Sequence, residues 1–318
     1  MEVVYGSQAF PDSVLSPIVC MGNFDGVHSG HQILLQKTLE IAATQKGNAC
    51  LYTFFPHPAQ VLSRDAAPVL IQTLDQKIDF LSQFHLSFLI IEKFNAAFSE
   101  LSPEAFFREI ILDKLHPNTL IVGYDFTFGK HRTGNIESLK RMCTEQNIKL
   151  VVVEAQFQDK TLISSSHIRT LVAAGNISRA NELLGHPYQI EGTVIKGRGM
   201  GGSLGAHTAN IETENKLVPK NGVYLTRTSI LENTKPLHRS YHLKEAPSIS
   251  SVGWNPTFPG SPFSIETHFL KHNENILGKF IQIDFLERLR DQIKFESPAA
   301  LKEQIAADID EARQKHGL

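Results

Sequence analysis

Cysteine is scarce in this chain. Its 318 residues hold three, Cys20, Cys50 and Cys143, widely spaced and without a CxxC pair. That excludes a disulfide framework and a cysteine-built zinc site, and it suits a reducing compartment. An excess of either charge is missing too. Lys and Arg number 31 against 33 Asp and Glu, a formal net charge of −2, which argues against a general nucleic-acid surface. A bound polyanion would have to be met locally. No window approaches the roughly 18 apolar residues of a membrane span. The opening stretch MEVVYGSQAFPDSVLSPIV has no basic n-region, and prolines interrupt it. Neither a signal peptide nor a membrane span is expected, and the chain reads as cytoplasmic. Repeats and low-complexity tracts are also missing. What remains is ordinary for a globular protein, 42% hydrophobic and 20% charged, and long enough for two domains with separate cores.

The first half alternates short apolar runs with helical patterns. PIVCMG (17–22), ACLYTFFP (49–56), SFLIIEKF (87–94), TLIVGYDF (119–126) and KLVVVEA (149–155) read as strands. HQILLQKTLEIAATQKG (31–47), LDQKIDFLSQF (74–84) and SPEAFFREIILDKL (102–115) read as helices, the last with Ser102 as N-cap. Such alternation implies parallel strands joined by helices, an α/β doubly wound sheet. From about residue 186 the texture changes to short strand-like runs separated by Gly, Pro and Asn, which predicts an antiparallel sheet or small barrel. A last helix is predicted over 297–314, with Leu301, Ile305 and Ile309 on one face. The expected domains are 1–186 and 187–318, the turn between them falling at LLGHPYQ (183–189).

VCMGNFDGVHSGH (19–31) places His28 and His31 behind the first strand, at the address where such sheets bind ligands. A zinc site needs at least three protein ligands, and no third is paired with these two in sequence. They could also be polar loop residues with no ligand at all. A phosphate fits the context better. Gly22 and Gly26 allow close backbone approach, and the helix beginning near Gly30 points free N–H groups into the same space. Imidazoles there could donate to oxygens whose charge grows during phosphoryl transfer.

ISSSHIRTLVAAGNISRANELLG (163–185) is a second candidate element, in which Ser164 or Ser165 would cap a helix carrying Arg169. An ordinary serine cap with a surface arginine would look the same. Two motif-like stretches lack their context. Gly123 to Lys130 resembles a P-loop, but His131 replaces Ser/Thr; GRGMGG (197–202) sits among strands with no helix after it.

Together GNFDGVHSGH, TFFPHP (53–58), VGYDFTFGKHRTG (122–134) and ISSSHIR (163–169) resemble the prokaryotic bifunctional riboflavin kinase/FMN adenylyltransferase (FAD synthetase) family. The resemblance implies a Rossmann-like nucleotidylyltransferase domain. In it His28 and His31 would stabilise the pentacoordinate α-phosphorus of ATP, with Arg169 as a further catalytic group. Gly22, Asn23, Phe24, Gly30, Ser164 and Ser165 would hold the nucleotide; Phe54, His57, Pro58 and Asp125 would line the flavin side. Ser166-His167 stands where the family usually has Thr-Arg.

GTVIKGRGMGGSLGAHTANIETENKLVPKNGVYL (192–225) and VGWNPTFPGSPFSIETHFL (252–270) resemble the same family's flavokinase core. This implies a small antiparallel β-barrel with a terminal helix. Thr208 and Asn210 would hold Mg²⁺ and the ATP phosphates, Gly197 would lie on the phosphate flap, and Glu266 would take the proton from the ribityl hydroxyl. Without that context Glu266 is simply an outward carboxylate on an alternating strand. His207 replaces the usual Pro, Ala206 the usual aromatic, and Gly201-Gly202 the usual Gly-Arg.

The expected function is a two-step flavin transferase, from riboflavin to FMN and then to FAD, with ATP as co-substrate in each step and Mg²⁺ as cofactor. The alternative is an FMN adenylyltransferase whose impaired kinase half serves as a flavin-binding module. The expected partners are riboflavin, FMN, FAD and ATP, with no nucleic acid and no membrane. The chain would be a monomer or a weak homo-oligomer.

Overall fold

A computed structural model of the chain describes residues 1–63, 67–197, 208–254, 262–272 and 274–318. It divides into two compact units, one of residues 1–69 and 76–164, the other of residues 70–75 and 165–318. Gly201, Gly202, Ala206 and His207, like most of GRGMGG, lie outside the described residues.

The first unit contains β1 (Glu2–Tyr5), β2 (Pro17–Met21), α1 (Ser29–Gln45), β3 (Asn48–Phe55) and α2 (Pro58–Leu62). Next come α3 (Leu74–Ser82), β4 (Phe88–Lys93), α4 (Ala96–Ser99) and α5 (Pro103–Phe106), which widens into a π-helical stretch over Phe107–Leu115. β5 (Thr119–Gly123), α6 (Ile136–Glu145), β6 (Lys149–Val153) and a hairpin of β7 (Phe157–Gln158) and β8 (Thr161–Leu162) complete it. Six strands form one sheet in the order β1-β4-β3-β2-β5-β6, and every pairing is parallel. β2 is buried along its whole length, as a central strand covered on both faces must be. The chain steps from β2 to β3 and β4 on one side, then returns to β5 and β6 on the other. The direction therefore reverses between β2 and β5, which is where open α/β sheets bind ligands.

Local chemistry accounts for the differences from the expected boundaries. α1 starts two residues before the expected position because the His28 side chain accepts from His31 N–H as its N-cap. It stops at Gln45 because Lys46 turns left-handed, with φ 53°. Ser102 caps α5 as expected, its hydroxyl accepting from Ala105 N–H.

The second unit contains α7 (Ser165–Ala174), α8 (Ile177–Leu184), β9 (Tyr188–Ile195), β10 (Thr208–Thr213), β11 (Gly222–Asn233) and β12 (Ser240–Gly253). It ends with β13 (Ser264–Phe269), β14 (Phe280–Arg290) and α9 (Pro298–Lys315). The strands close into an antiparallel barrel in the order β10-β13-β12-β11-β14-β9. The α/β-plus-barrel architecture is the one expected, although β1 and β10 were not anticipated as strands. The helical pattern over 163–185 is two helices, broken at Gly175 with φ 80°. α8 belongs with the barrel: Asn181 donates to Phe285 O and accepts from Tyr188 N–H, at 2.8 and 2.7 Å.

The barrel's buried face is partly polar. Thr226, Thr228, Ser248, Ser250 and Thr267 are buried and bond one another through their hydroxyls at 2.8–3.2 Å. Mutual satisfaction is what makes such burial tolerable. α9 covers an outer apolar face, where Ile309 and Ala312 meet Val223, Leu225, Ile249 and Leu286. Arg290 on β14 clamps the helix through a bidentate pair with Asp308, at 2.8 and 2.5 Å, the carboxylate being almost fully buried. Asp308→Ala strands that guanidinium and is expected to cost the barrel about 3 kcal/mol. Urea unfolding followed by fluorescence of the single tryptophan, Trp254, measures the loss.

Candidate active site

The turn after β2 carries the first candidate site. Gly22 N–H donates to Tyr52 O, and the Phe24 ring closes over Gly22. Phe24 is left-handed, with φ 51°, and so are Gly26 at 78° and Val27 at 37°. Phe24 is buried, and its ring lies 4.7 Å from that of His31. His28 and His31 stack at 3.6 Å with an interplanar angle of 15°. Glycine at position 30 eases the packing here, since a Cβ there would press on the His28 ring at 3.2–3.3 Å. Asn23 offers its carbonyl oxygen to Thr53 Oγ1 at 3.1 Å and to Lys77 Nζ at 2.8 Å.

His31 Nδ1 is sealed from solvent with no hydrogen-bond partner, a costly state for a buried polar atom unless a ligand satisfies it. Burial holds the imidazole well below the usual histidine value, and the neighbouring charges of His28 and Lys77 act in the same direction. Sequence reasoning missed Lys77. Its buried position on α3 carries no local signature, and only the tertiary contact with Asn23 exposes it.

The flavin-side candidates lie at the carboxyl ends of neighbouring strands. Phe54, one residue before the end of β3, sits in an aromatic cluster, edge-on to Tyr52, Phe94 and Phe98 at 5.3, 5.7 and 5.9 Å. His57 caps α2 by accepting from Ala59 N–H, and Pro58 is the first residue of that helix. Asp125 follows β5, on the other side of β2. Ser164 is the last residue of the first unit. Ser165 and Arg169 belong to the second unit on α7, where the Arg169 guanidinium donates to the Ser166 hydroxyl at 3.1 Å.

A second cluster lies on the barrel. β10 pairs with β13 so that Asn210 faces Glu266. Along β13 the buried residues are Ile265, Thr267 and Phe269, leaving Glu266 on the outer face. There its carboxylate accepts from Thr208 Oγ1 at 3.1 Å and from Ser264 Oγ at 3.0 Å. Gly197 abuts this group, since a Cβ on it would collide with the Asn210 amide. Thr208, Asn210, Glu266 and Gly197 are thus brought together. The donor set is all oxygen, apart from the amide nitrogen of Asn210, and suits a hard cation such as Mg²⁺. Among the described residues no group of three or more His, Cys, Asp or Glu is arranged for a metal, so phosphate oxygens would have to complete the coordination. A cavity of about 510 Å³ at one end of the barrel, lined by Lys220, Asn221, Trp254, Asp291 and Gln292, was not anticipated. Its residues come from separate loops and strand ends.

The stacked imidazole pair lies at the switch point of an α/β unit, where such sheets bind ligands, and a barrel with an oxygen-lined carboxylate follows it. The family model for FAD synthetase matches residues 13–167, and that for riboflavin kinase matches residues 184–316. The chain is 35% identical to the bifunctional riboflavin kinase/FMN adenylyltransferase of Bacillus subtilis (strain 168), over 93% of this chain and 91% of that one. It is 33% identical to the protein of that description from Buchnera aphidicola subsp. Schizaphis graminum, over the full length of both, and 30% identical to that of Escherichia coli K12, over 95% and 93%. A crystal structure described as a macrolide-efflux protein from Streptococcus pneumoniae superposes with a TM-score of 0.83 at 26% identity, covering 98% of this chain and 99% of that one. Among the described residues no helix is long and apolar enough to cross a membrane. The chain belongs to the bifunctional riboflavin kinase/FMN adenylyltransferase family.

With its folded value depressed, His31 binds a proton less readily than it does in the unfolded chain. Its contribution to stability is therefore full above about pH 6.5 and is lost as the pH falls. The His31 ring should keep the ¹⁵N shifts of a neutral imidazole at pH 6, assigned by their loss in His31→Gln; a midpoint near 6.5 would refute the buried geometry.

Proposed function

We infer that this chain phosphorylates riboflavin with ATP to give FMN, then transfers the adenylyl group of a second ATP to FMN, giving FAD and pyrophosphate. The observation that carries this reading is the order of the two family matches along nearly the whole chain, each containing one of the two side-chain clusters described above. It favours the bifunctional enzyme over an adenylyltransferase with an impaired kinase half. We assign the first activity to residues 187–318 and the second to 1–186.

For adenylyl transfer, an FMN phosphate oxygen attacks the α-phosphorus in line, the bond to the bridging oxygen breaks, and pyrophosphate leaves with that electron pair. His28 and His31 serve as donors to the α-phosphoryl oxygens, their stacked rings presenting N–H groups to the charge that develops. Gly22, Asn23, Phe24 and Gly30 shape the turn under the phosphates. Ser164, Ser165 and Arg169 supply hydroxyl and guanidinium contacts to them. Phe54, His57, Pro58 and Asp125 line the flavin side, where the aromatic cluster around Phe54 suits an extended ring system.

For phosphorylation, Glu266 accepts the proton of the ribityl 5′-hydroxyl as that oxygen attacks the γ-phosphorus and ADP leaves. Thr208 and Asn210 would hold Mg²⁺ against the phosphates, with Gly197 beside them. When bound, the ion supplies neutralisation of phosphate charge. The cytoplasm is the compartment this reading places it in. Its three cysteines are free and buried, and burial pushes the thiols of Cys20 and Cys50 up to about 12.

The two halves separate by mutation. Glu266→Gln should lower FMN formation from riboflavin by about 10²–10⁴-fold while FAD formation from supplied FMN persists. His28→Ala and His31→Ala should each cut FAD formation by about 10²-fold or more and leave the kinase step intact. Chromatography of products from riboflavin and from FMN reads both rates for each variant. Loss of both activities in any one variant, or of neither, would sink the assignment.

A further inference from the structure

One cation close enough to act on His31 has no part in the mechanism above. Lys77 on α3 is only 7% exposed, and lysines are almost never buried without a partner. Its partner is a backbone atom in the turn after β2: Nζ donates to Asn23 O at 2.8 Å, the same oxygen that takes the Thr53 hydroxyl at 3.1 Å. The turn has two non-glycine residues in left-handed conformation, Phe24 and Val27, a backbone that persists only when its surroundings over-determine it. Three elements, β2, β3 and α3, are thereby tied at a single carbonyl at the start of that turn.

We propose that Lys77 is a positioning residue for adenylyl transfer, pinning the Gly22–His28 turn through the Asn23 carbonyl. The proposal rests on the adenylyltransferase reading of this site. A cation already buried there disfavours a second one on His31. The imidazole then keeps one N–H and one acceptor nitrogen, with its sealed Nδ1 lacking a protein partner. Phe24 and His28 both pack against the ring, at 4.7 and 3.6 Å. Among the described residues, the ionisable groups that act on Lys77 or feel it are Asp25 in the turn and His31, with His28 stacked on His31. Burial pulls the ammonium down to about 8 and Asp25 opposes that shift, so the clamp weakens on the alkaline side.

The test is steady-state FAD formation from FMN, ATP and Mg²⁺ by the full chain across pH 6–10, for wild type, Lys77→Met and Lys77→Arg. Riboflavin kinase activity of the same samples monitors the barrel, and circular dichroism melts monitor the α/β unit. Lys77→Met should lower kcat about 30-fold or more, the scale of a small misplacement of reacting groups, with KM for ATP and FMN changed less than about threefold. Wild-type kcat should decline above about pH 8. Lys77→Arg, whose guanidinium stays charged, should recover most of the rate and move that alkaline limb upward. Should Lys77→Met fail to fold, the limb in Lys77→Arg alone decides. Wild-type kcat and pH profile in Lys77→Met would overturn the proposal, as would equal losses in both variants with an unmoved limb. No FAD from wild type, or full activity in His31→Ala, would instead overturn the adenylyltransferase reading itself.

Discussion

One imidazole holds the first site together. His28 caps α1 by accepting the His31 N–H, and its ring lies flat against that of His31. Both roles demand that the chain leave β2, turn through left-handed backbone and enter the helix at one fixed angle. Glycine at 30 suits the same demand, because a Cβ there would crowd the capping ring at 3.2 Å. So does the burial of Phe24, which fills the space above Gly22 and borders the His31 ring. The capping bond that starts the helix is thus also the bond that sets out the proposed chemical groups.

The barrel reaches its site by a different route. Strand alternation places Thr267 with the buried hydroxyls and Glu266 on the outer face beside Thr208 and Asn210. The first site is partly buried, around Phe24 and His28, and draws donors from a helix terminus and a loop. The second lies on half-buried strand surface and gathers its oxygens by cross-strand register. A one-residue slip of β10 against β13 would turn Thr208 and Asn210 to the other face. Burial and register are the respective constraints, and each suits the reaction assigned to its half. Neutral donors in a low-dielectric site stabilise charge strongly, whereas a carboxylate that must take up a proton needs access to its substrate.

The motifs were legible because they are local. GNFDGVHSGH carries its glycines, cap and paired histidines within ten residues, and SIETHF carries an alternation that points Glu266 outward. The strand–helix rhythm of the first half and the Gly- and Pro-punctuated strands of the second fixed the architecture in advance. Less legible were elements that depend on distant partners. β1 is an edge strand that exists by pairing with β4, and β10 is a strand because β9 and β13 flank it. Gly175 splits a continuous helical pattern because a left-handed residue is needed there, packed against Arg288.

By itself the sequence determined the family, which half alternates strands with helices and which half closes as a barrel, and it singled out the histidines and the glutamate to which the chemistry is assigned. These properties are written in periodicity and spacing within a few residues. Only the tertiary structure decided that Lys77 is buried against Asn23 rather than exposed on a helix, and that the imidazoles stack with His31 held below the usual histidine value. It also decided that α8 belongs to the barrel. The physical reason is common to all three. Burial and charge at a residue are set by atoms tens of positions away, and no local pattern records them.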